Sequence, residues 1–143
     1  MPTPFRTTRR VEFADTDLAG IVHFANFFRF MEAAEVEFLR SLGLSVKLEW
    51  GGEHLGFPRV SASCDYLRPV TFEDVLDIEV ALRRLGTKSV TYGFDFFKGG
   101  GLIARGQVSS VCCRFRPGHG LESVAIPGGL RERLQASGAV RPS

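Results

Sequence analysis

The sequence predicts an α+β fold in which an antiparallel sheet wraps one long central helix. The stretch Ile21 to Leu42 contains no Gly or Pro and carries apolar residues at helical spacing. Several later segments alternate apolar and polar residues in strand rhythm. Gly-containing turns separate those strands, an order that places a meandering sheet after the helix.

The first run, Arg6 to Phe13, reads as a strand, and Ala14 to Gly20 as a loop. The helix is expected from Ile21 or Ala25 to Leu42, with Gly43 where a helix C-cap belongs. At 100° per residue Phe27, Met31, Ala34, Phe38 and Leu42 share one stripe, while Asn26, Arg29, Glu37 and Arg40 collect opposite. Phe28, Phe30 and Leu39 widen the apolar arc, so a helix of roughly 27 Å needs cover on most sides. A curved sheet supplies that cover better than a single neighbouring helix. Glu35 falls inside the apolar flank, where an unpaired carboxylate is costly to bury, so it is expected in an interface ion pair.

The segment Glu49 to Gly56 is Gly-rich and reads either as a surface loop or as a pocket border carrying Trp50 and His54. Val60, Ala62, Cys64 and Tyr66 mark the next strand. Leu76, Ile78, Val80 and Leu82 mark another, and Val90, Tyr92, Phe94 and Phe96 a third. The last long strand is expected from Leu102 to about Arg116, followed by a short helix near Gly129 to Gln135. Residues 1–143 form one domain in this reading, with 136–143 a loose tail.

Composition narrows the function classes. The 18 Lys and Arg residues against 16 Asp and Glu leave a net charge of +2, without the dense basic stripe of a nucleic-acid binder. The N-terminal residues are polar and basic, and no apolar stretch reaches membrane-spanning length, which predicts a cytoplasmic protein. Cys64, Cys112 and Cys113 make an odd count, and the adjacent pair points to opposite faces of a strand, so neither a disulfide framework nor a chelating site is expected. His23, His54 and His119 stand singly, and no metal site is predicted.

The chemistry concentrates between Asp15 and Asn26. Asp15 and Asp17 flank Thr16 in a loop that turns through Gly20 toward the helix start, where backbone N–H groups lack intrahelical partners. Such donors carry partial positive charge and stabilise an oxyanion that develops on a carbonyl. The plain alternative for Asp17 is an Asx turn or a helix N-terminal charge.

The run Val11-Glu12-Phe13-Ala14-Asp15-Thr16-Asp17-Leu18-Ala19-Gly20-Ile21-Val22-His23-Phe24-Ala25-Asn26-Phe27 resembles the opening motif of hotdog-fold 4-hydroxybenzoyl-CoA thioesterases and related acyl-CoA thioesterases. Strong resemblance covers about a fifth of the chain, continuing more loosely through Glu32, Glu35 and Leu39-Arg40. It implies a hotdog fold and hydrolysis of an acyl-CoA thioester to a carboxylic acid and free coenzyme A. By position, Asp17 corresponds to the family's catalytic carboxylate, as nucleophile or general base, and the Phe24 backbone N–H to its carbonyl-polarising donor. Asp15 has no catalytic counterpart. His23 stands where many relatives carry an aromatic residue, and is a candidate acid-base group or a structural histidine.

Arg83, Arg84 and Lys88, around the turn Leu85-Gly86-Thr87, resemble the family's coenzyme A phosphate-contacting region. The resemblance further implies a homodimer or homotetramer paired through sheet edges, with active sites between subunits. No cofactor is implied, because coenzyme A is part of the substrate. A non-catalytic module that holds acyl thioesters, or an oligomeric scaffold, is the alternative of the same shape. Asp17 discriminates, since a module that only binds has no use for a carboxylate beside the carbonyl donors.

Overall fold

The computed structural model describes residues 4–138. In chain order the elements are β1 (Phe5–Arg10), a 3-10 turn (Phe13–Asp15), α1 (Asn26–Ser41), β2 (Leu48–Trp50), β3 (Glu53–Gly56), β4 (Arg59–Tyr66), β5 (Val75–Leu85), β6 (Ser89–Lys98), β7 (Gly101–Val111), β8 (Cys113–Arg116), β9 (Gly120–Ser123) and α2 (Gly128–Ala136). A five-stranded sheet runs β1-β5-β6-β7-β4 and a four-stranded one β2-β3-β8-β9, with every pairing antiparallel.

The architecture is the mixed α+β arrangement the sequence predicts, with a shorter helix. Val22 donates its N–H to Val70 O and bridges Thr16, so of the two starts expected for α1 the chain is still extended at Ile21, and Ala25 is the cap. The helix therefore spans 16 residues, about 24 Å. Its end is where expected: Gly43 takes a φ of 74°, and Leu44 N–H reaches back to Leu39 O at 2.8 Å. The helix is not the only one packed on the core, because α2 inserts Leu130 and Leu134 into the same interior.

The core forms where Phe27, Phe30, Met31, Ala34 and Phe38 of α1 meet the inward faces of β5, β6 and β7. Contact is close enough at Gly106 that an added Cβ would lie 2.5 Å from Met31 Sδ and 3.2 Å from Ser63 O, so the position needs glycine. Phe27 also meets Phe96 edge to face at 5.3 Å, which joins the first turn of the helix to the sheet.

The long strand expected from Leu102 to Arg116 is broken at Cys112. Its N–H donates to Lys88 O and its carbonyl accepts from Val124, so β7 ends in one sheet and β8 begins in the other. The Gly-rich segment is the β2–β3 hairpin, turned by Gly51 and Gly52 at positive φ. Trp50 lies against Gly129 and beneath Arg133 of α2, and so packs a helix. Of the tail expected at 136–143, Ala136 closes α2, and residues beyond 138 lie outside the described part. No described helix is long and apolar enough to cross a membrane.

Candidate active site

The loop from Glu12 to Ala25 is built almost wholly by its own hydrogen bonds. Asp15 Oδ2 accepts the Glu12 N–H at 2.8 Å, and the Asp15 carbonyl accepts both the His23 N–H at 2.9 Å and the Asn26 Nδ2 at 2.8 Å. Asp15 therefore braces the loop against the helix start. Asn26 supplies the matching amide, which explains a polar residue at the first position of the helix, directly before Phe27 and Phe28.

Asp17 begins a tight turn. Gly20 N–H donates to Asp17 O and Asp17 N–H to Ile21 O, each at 2.9 Å, with Gly20 at φ 80°. The Ala19 N–H donates to Asp17 Oδ1 at 2.9 Å, an Asx turn that fixes the carboxylate. Its Oδ2 accepts no hydrogen bond from any described residue, and the side chain is half-buried. The turn thus orients one oxygen and leaves the other available.

The start of α1 offers fewer free donors than the sequence suggested. Asn26, Phe27 and Phe28 donate to the carbonyls of His23, Phe24 and Ala25, and Ala25 donates to His23 Nδ1 at 3.2 Å. Among the described residues the Phe24 N–H has no partner. The expected group of helix N-terminal donors narrows to that one.

Asp17 and Phe24 line one groove of about 520 Å³ together with Phe27, Tyr66, Arg68 and Val70. Tyr66, at the end of β4, donates its hydroxyl to Phe24 O at 3.0 Å and sets its ring edge-on to both Phe24 and Phe27. Partial burial pushes its phenol above its ordinary range, so it remains a donor. Arg68 brings a cation to the groove. Sequence reasoning misses Tyr66 and Arg68 as site residues: Tyr66 reaches the site through the β4–β7 pairing, in which it opposes Ala104, and Arg68, just past the strand, through its N–H to Ile103 O.

His23 is exposed, its ring stacked on Phe24 at 4.7 Å, and it is not among the residues lining the groove. Its Nδ1 is occupied as an acceptor, which leaves Nε2 as the free ring nitrogen. Arg83 and Arg84 lie near the end of β5, with the Arg83 side chain over Gly93 of β6, and Lys88 lies in the turn that follows. Because Val75, the first residue of β5, adjoins the Asp17 loop through Val11 and Asp74, that turn stands ten residues along the strand, roughly 33 Å away. One protomer alone does not bring these cations to Asp17. Arg131 of α2 braces the same turn, bonding the carbonyls of Leu85, Gly86 and Thr87.

Glu35 is paired with Arg59 of β4, Oε2 to Nη2 at 2.9 Å. The partner lies within the same chain, 24 residues on. Burial raises the Glu35 carboxyl above the usual carboxylate range, and Arg59 opposes that shift in part.

Residues 11–134 match the sequence profile of the thioesterase-like superfamily. A 1,4-dihydroxy-2-naphthoyl-CoA hydrolase of Thermosynechococcus vestitus is 34% identical over 113 residues, covering 78% of this chain and 77% of the relative. The structure of a gentisyl-coenzyme A thioesterase is 33% identical with a TM-score of 0.76, covering 89% of this chain and 99% of its own. A hypothetical protein of Aquifex aeolicus superposes with a TM-score of 0.82 at 32% identity, covering 92% and 99%. With the profile running from Val11, before the Asp17 turn, through to Leu134 in the last helix, the chain belongs to the thioesterase-like superfamily.

Proposed function

We propose that this protein hydrolyses acyl-coenzyme A thioesters, with Asp17 as the working carboxylate and the Phe24 N–H as the donor to the thioester carbonyl. The observation that carries this is their position on one groove, one with a free carboxylate oxygen and the other with a free N–H. A carbonyl oxygen seated on the Phe24 N–H gains most from that donor when it becomes an oxyanion, which stabilises the transition state over the ground state.

Two routes follow from this placement. In one, an Asp17 oxygen attacks the carbonyl carbon, the C–S bond breaks, and the thiolate leaves and takes up a proton; water then cleaves the mixed anhydride and returns the carboxylate. In the other, Asp17 takes a proton from water as it adds to the carbonyl, and gives it to the departing thiolate as the C–S bond breaks. Neither needs a metal or an organic cofactor, since coenzyme A leaves as product. The relatives that act on dihydroxynaphthoyl-CoA and gentisyl-CoA support an acyl group with an aromatic or apolar body.

The same reading covers assembly and place. The five-stranded sheet laid on α1 is taken as the hotdog arrangement, and β4, exposed along most of its length at the sheet edge, as the strand that pairs with a second copy. Antiparallel pairing through β4 would set the partner's β5–β6 turn toward this Asp17 groove, and so supply the coenzyme A phosphate contacts of Arg83, Arg84 and Lys88 across the interface. Three unpaired thiols suit a reducing cytoplasm.

The test is free-thiol release from aromatic, short-chain and long-chain acyl-CoAs by the purified protein. Hydrolysis of at least one ester supports the proposal. Tight binding of acyl-CoA with no thiol released would favour the non-catalytic module instead.

A further inference from the structure

The chain enters α1 through successive bonds of the 3-10 kind, in which the N–H groups of Asn26, Phe27 and Phe28 donate to the carbonyls of His23, Phe24 and Ala25. The first of these turns leaves two N–H groups, those of Phe24 and Ala25, without a backbone acceptor. They fare differently. The Ala25 N–H donates to His23 Nδ1 at 3.2 Å, whereas the Phe24 N–H has no partner among the described residues.

His23 thus stands where an N-cap residue stands, with its side chain taking the donor two positions on. Ser, Thr, Asp and Asn, the usual residues there, keep an acceptor oxygen as the solution is mildly acidified, and an imidazole does not. The backbone of His23 is pinned on both sides, its N–H on Asp15 O and its carbonyl under the Asn26 N–H, each at 2.9 Å. Its ring lies on that of Phe24 at 4.7 Å with 24° between the planes. Backbone and ring together aim Nδ1 at Ala25.

That bond fixes the proton of the ring. Nδ1 accepts only in the neutral imidazole, with the hydrogen on Nε2. A second proton turns Nδ1 into a donor facing the Ala25 N–H, and sets a positive charge at the positive end of the helix. The stack on Phe24 survives, since a cation is attracted to an aromatic face, so the loss falls on the cap bond. The titratable neighbours of the turn are engaged elsewhere: Asp15 Oδ2 accepts from the Glu12 N–H, Asp17 Oδ1 accepts from the Ala19 N–H, and the Tyr66 hydroxyl donates to Phe24 O.

Resting on the acyl-CoA hydrolase reading, we propose that His23 is a positioning residue whose neutral imidazole takes up the Ala25 N–H, leaving the Phe24 N–H as the one donor presented to the thioester carbonyl. Protonation of the ring releases the turn and switches that presentation off.

Three proteins are compared on one acyl-CoA ester between about pH 8 and pH 5, the interval in which histidine side chains change charge. Wild-type turnover is expected to fall roughly fivefold on acidification, the scale of one partly exposed hydrogen bond, with little change in the Michaelis constant. Carboxylates take up protons in a more acidic range than imidazoles, so this step precedes the protonation of Asp17. His23→Asn keeps an acceptor that does not titrate; it should stay within about threefold of wild type at pH 8 and lack the step. His23→Leu has no acceptor, and should run near the acid level of wild type across the whole interval. A step that persists in His23→Asn, wild-type turnover in His23→Leu at pH 8, or turnover that rises on acidification would overturn the proposal.

The cap is also read without substrate. The protection of the Ala25 amide against hydrogen exchange, corrected for the intrinsic pH dependence of exchange, should fall across the same interval in wild type and stay level in His23→Asn. If it does so in a protein that hydrolyses no acyl-CoA, the hydrolase reading fails and the cap stands. Hydrolysis by a protein whose Ala25 amide is equally protected at both ends of the interval does the reverse, and the absence of both ends both.

Discussion

The Tyr66 hydroxyl crosses 42 residues of sequence to donate to the Phe24 carbonyl at 3.0 Å. This bond ties the edge of the five-stranded sheet to the residue whose own N–H is the free donor of the groove. Phe24 otherwise sits in an exposed turn held by local hydrogen bonds. Removing the hydroxyl in Tyr66→Phe should loosen that residue without emptying any space. Turnover is expected to fall roughly fivefold, near the 1 kcal/mol of one partly exposed hydrogen bond, with little change in the Michaelis constant. A steady-state comparison on one acyl-CoA ester decides it, and an unchanged turnover would mean that Phe24 is held without Tyr66.

Asp17 and Asp15 should separate cleanly on substitution. Asn at position 17 retains an oxygen for the Ala19 N–H, so the turn survives while the ionised oxygen is lost. Turnover is expected to drop by roughly 100-fold or more, the scale of an acid-base group, with circular dichroism and melting temperature close to wild type. Asp15→Asn also retains an acceptor for the Glu12 N–H, and should stay within about tenfold of wild-type turnover. Wild-type activity in a folded Asp17→Asn protein would falsify the Asp17 assignment, and equal losses at both positions would make the loop geometry the active element.

How far these features could be read from the sequence depends on the range of the interaction. The helix stripe from Phe27 to Phe38 and the alternation in β4, β5 and β6 are local patterns, and α1 and those strands lie within a few residues of where periodicity puts them. The end of α1 was legible because Gly43 is a local backbone signal. Its start was legible only as a choice between Ile21 and Ala25; Ala25 is the cap, because Val22 is kept extended by Val70, 48 positions away and invisible to helical periodicity. The break at Cys112 is of the same kind, imposed by Lys88, just before β6, and Val124, just after β9. The four-residue β9 carries too little alternation to be seen at all. At the site, Asp17 and Phe24 are neighbours in sequence and stand out in one motif, whereas Tyr66 reaches the groove through strand register and Arg68 through a backbone bond to Ile103. For Glu35 the cost of burial foretold a partner, but Arg59 became identifiable only once β4 was laid beside α1.

The Glu35–Arg59 pair carries a pH signature. A carboxyl whose folded pKa is raised above the ordinary 4.5 binds more protons folded than unfolded, so its contribution to stability is largest below 4.5 and declines as pH rises through the folded value. Arg59→Met removes the attraction that offsets the burial, and raises the folded pKa further. The variant should lose about 2–3 kcal/mol at neutral pH, below the usual range for a broken buried pair because Arg59 is partly exposed. That loss should shrink toward pH 4.5, where protonation relieves the stranded carboxylate. Urea unfolding of both proteins across that range checks the sign; a difference that grows on acidification would contradict it.

The Asp17 loop and the β5–β6 turn stand at opposite ends of β5, roughly 33 Å apart, so on the proposed reading phosphate contacts at that turn require a second copy. If β4 pairs antiparallel with a second copy, each groove takes its carboxylate from one chain and its phosphate-binding cations from the other. Light scattering should then give a mass at least twice 15.8 kDa. Neutralising Lys88 together with Arg83 or Arg84 should raise the Michaelis constant more than it lowers turnover, because the nucleotide phosphates lie far from the bond being broken and are held alike in ground and transition states. The effect should weaken with added salt, since exposed contacts are screened over about 10 Å at 0.1 M. Mixing gives the decisive result. Equimolar co-refolding of an Asp17→Asn chain with a Lys88/Arg83-neutralised chain makes hetero-dimers in which one groove combines an intact Asp17 with intact cations. About a quarter of wild-type turnover should return at the wild-type Michaelis constant, from half of the dimers having one complete site. If the mixture shows only the high Michaelis constant of the neutralised protein, the cations do not act across the interface, and the β5–β6 turn is not the phosphate site of the partner's groove.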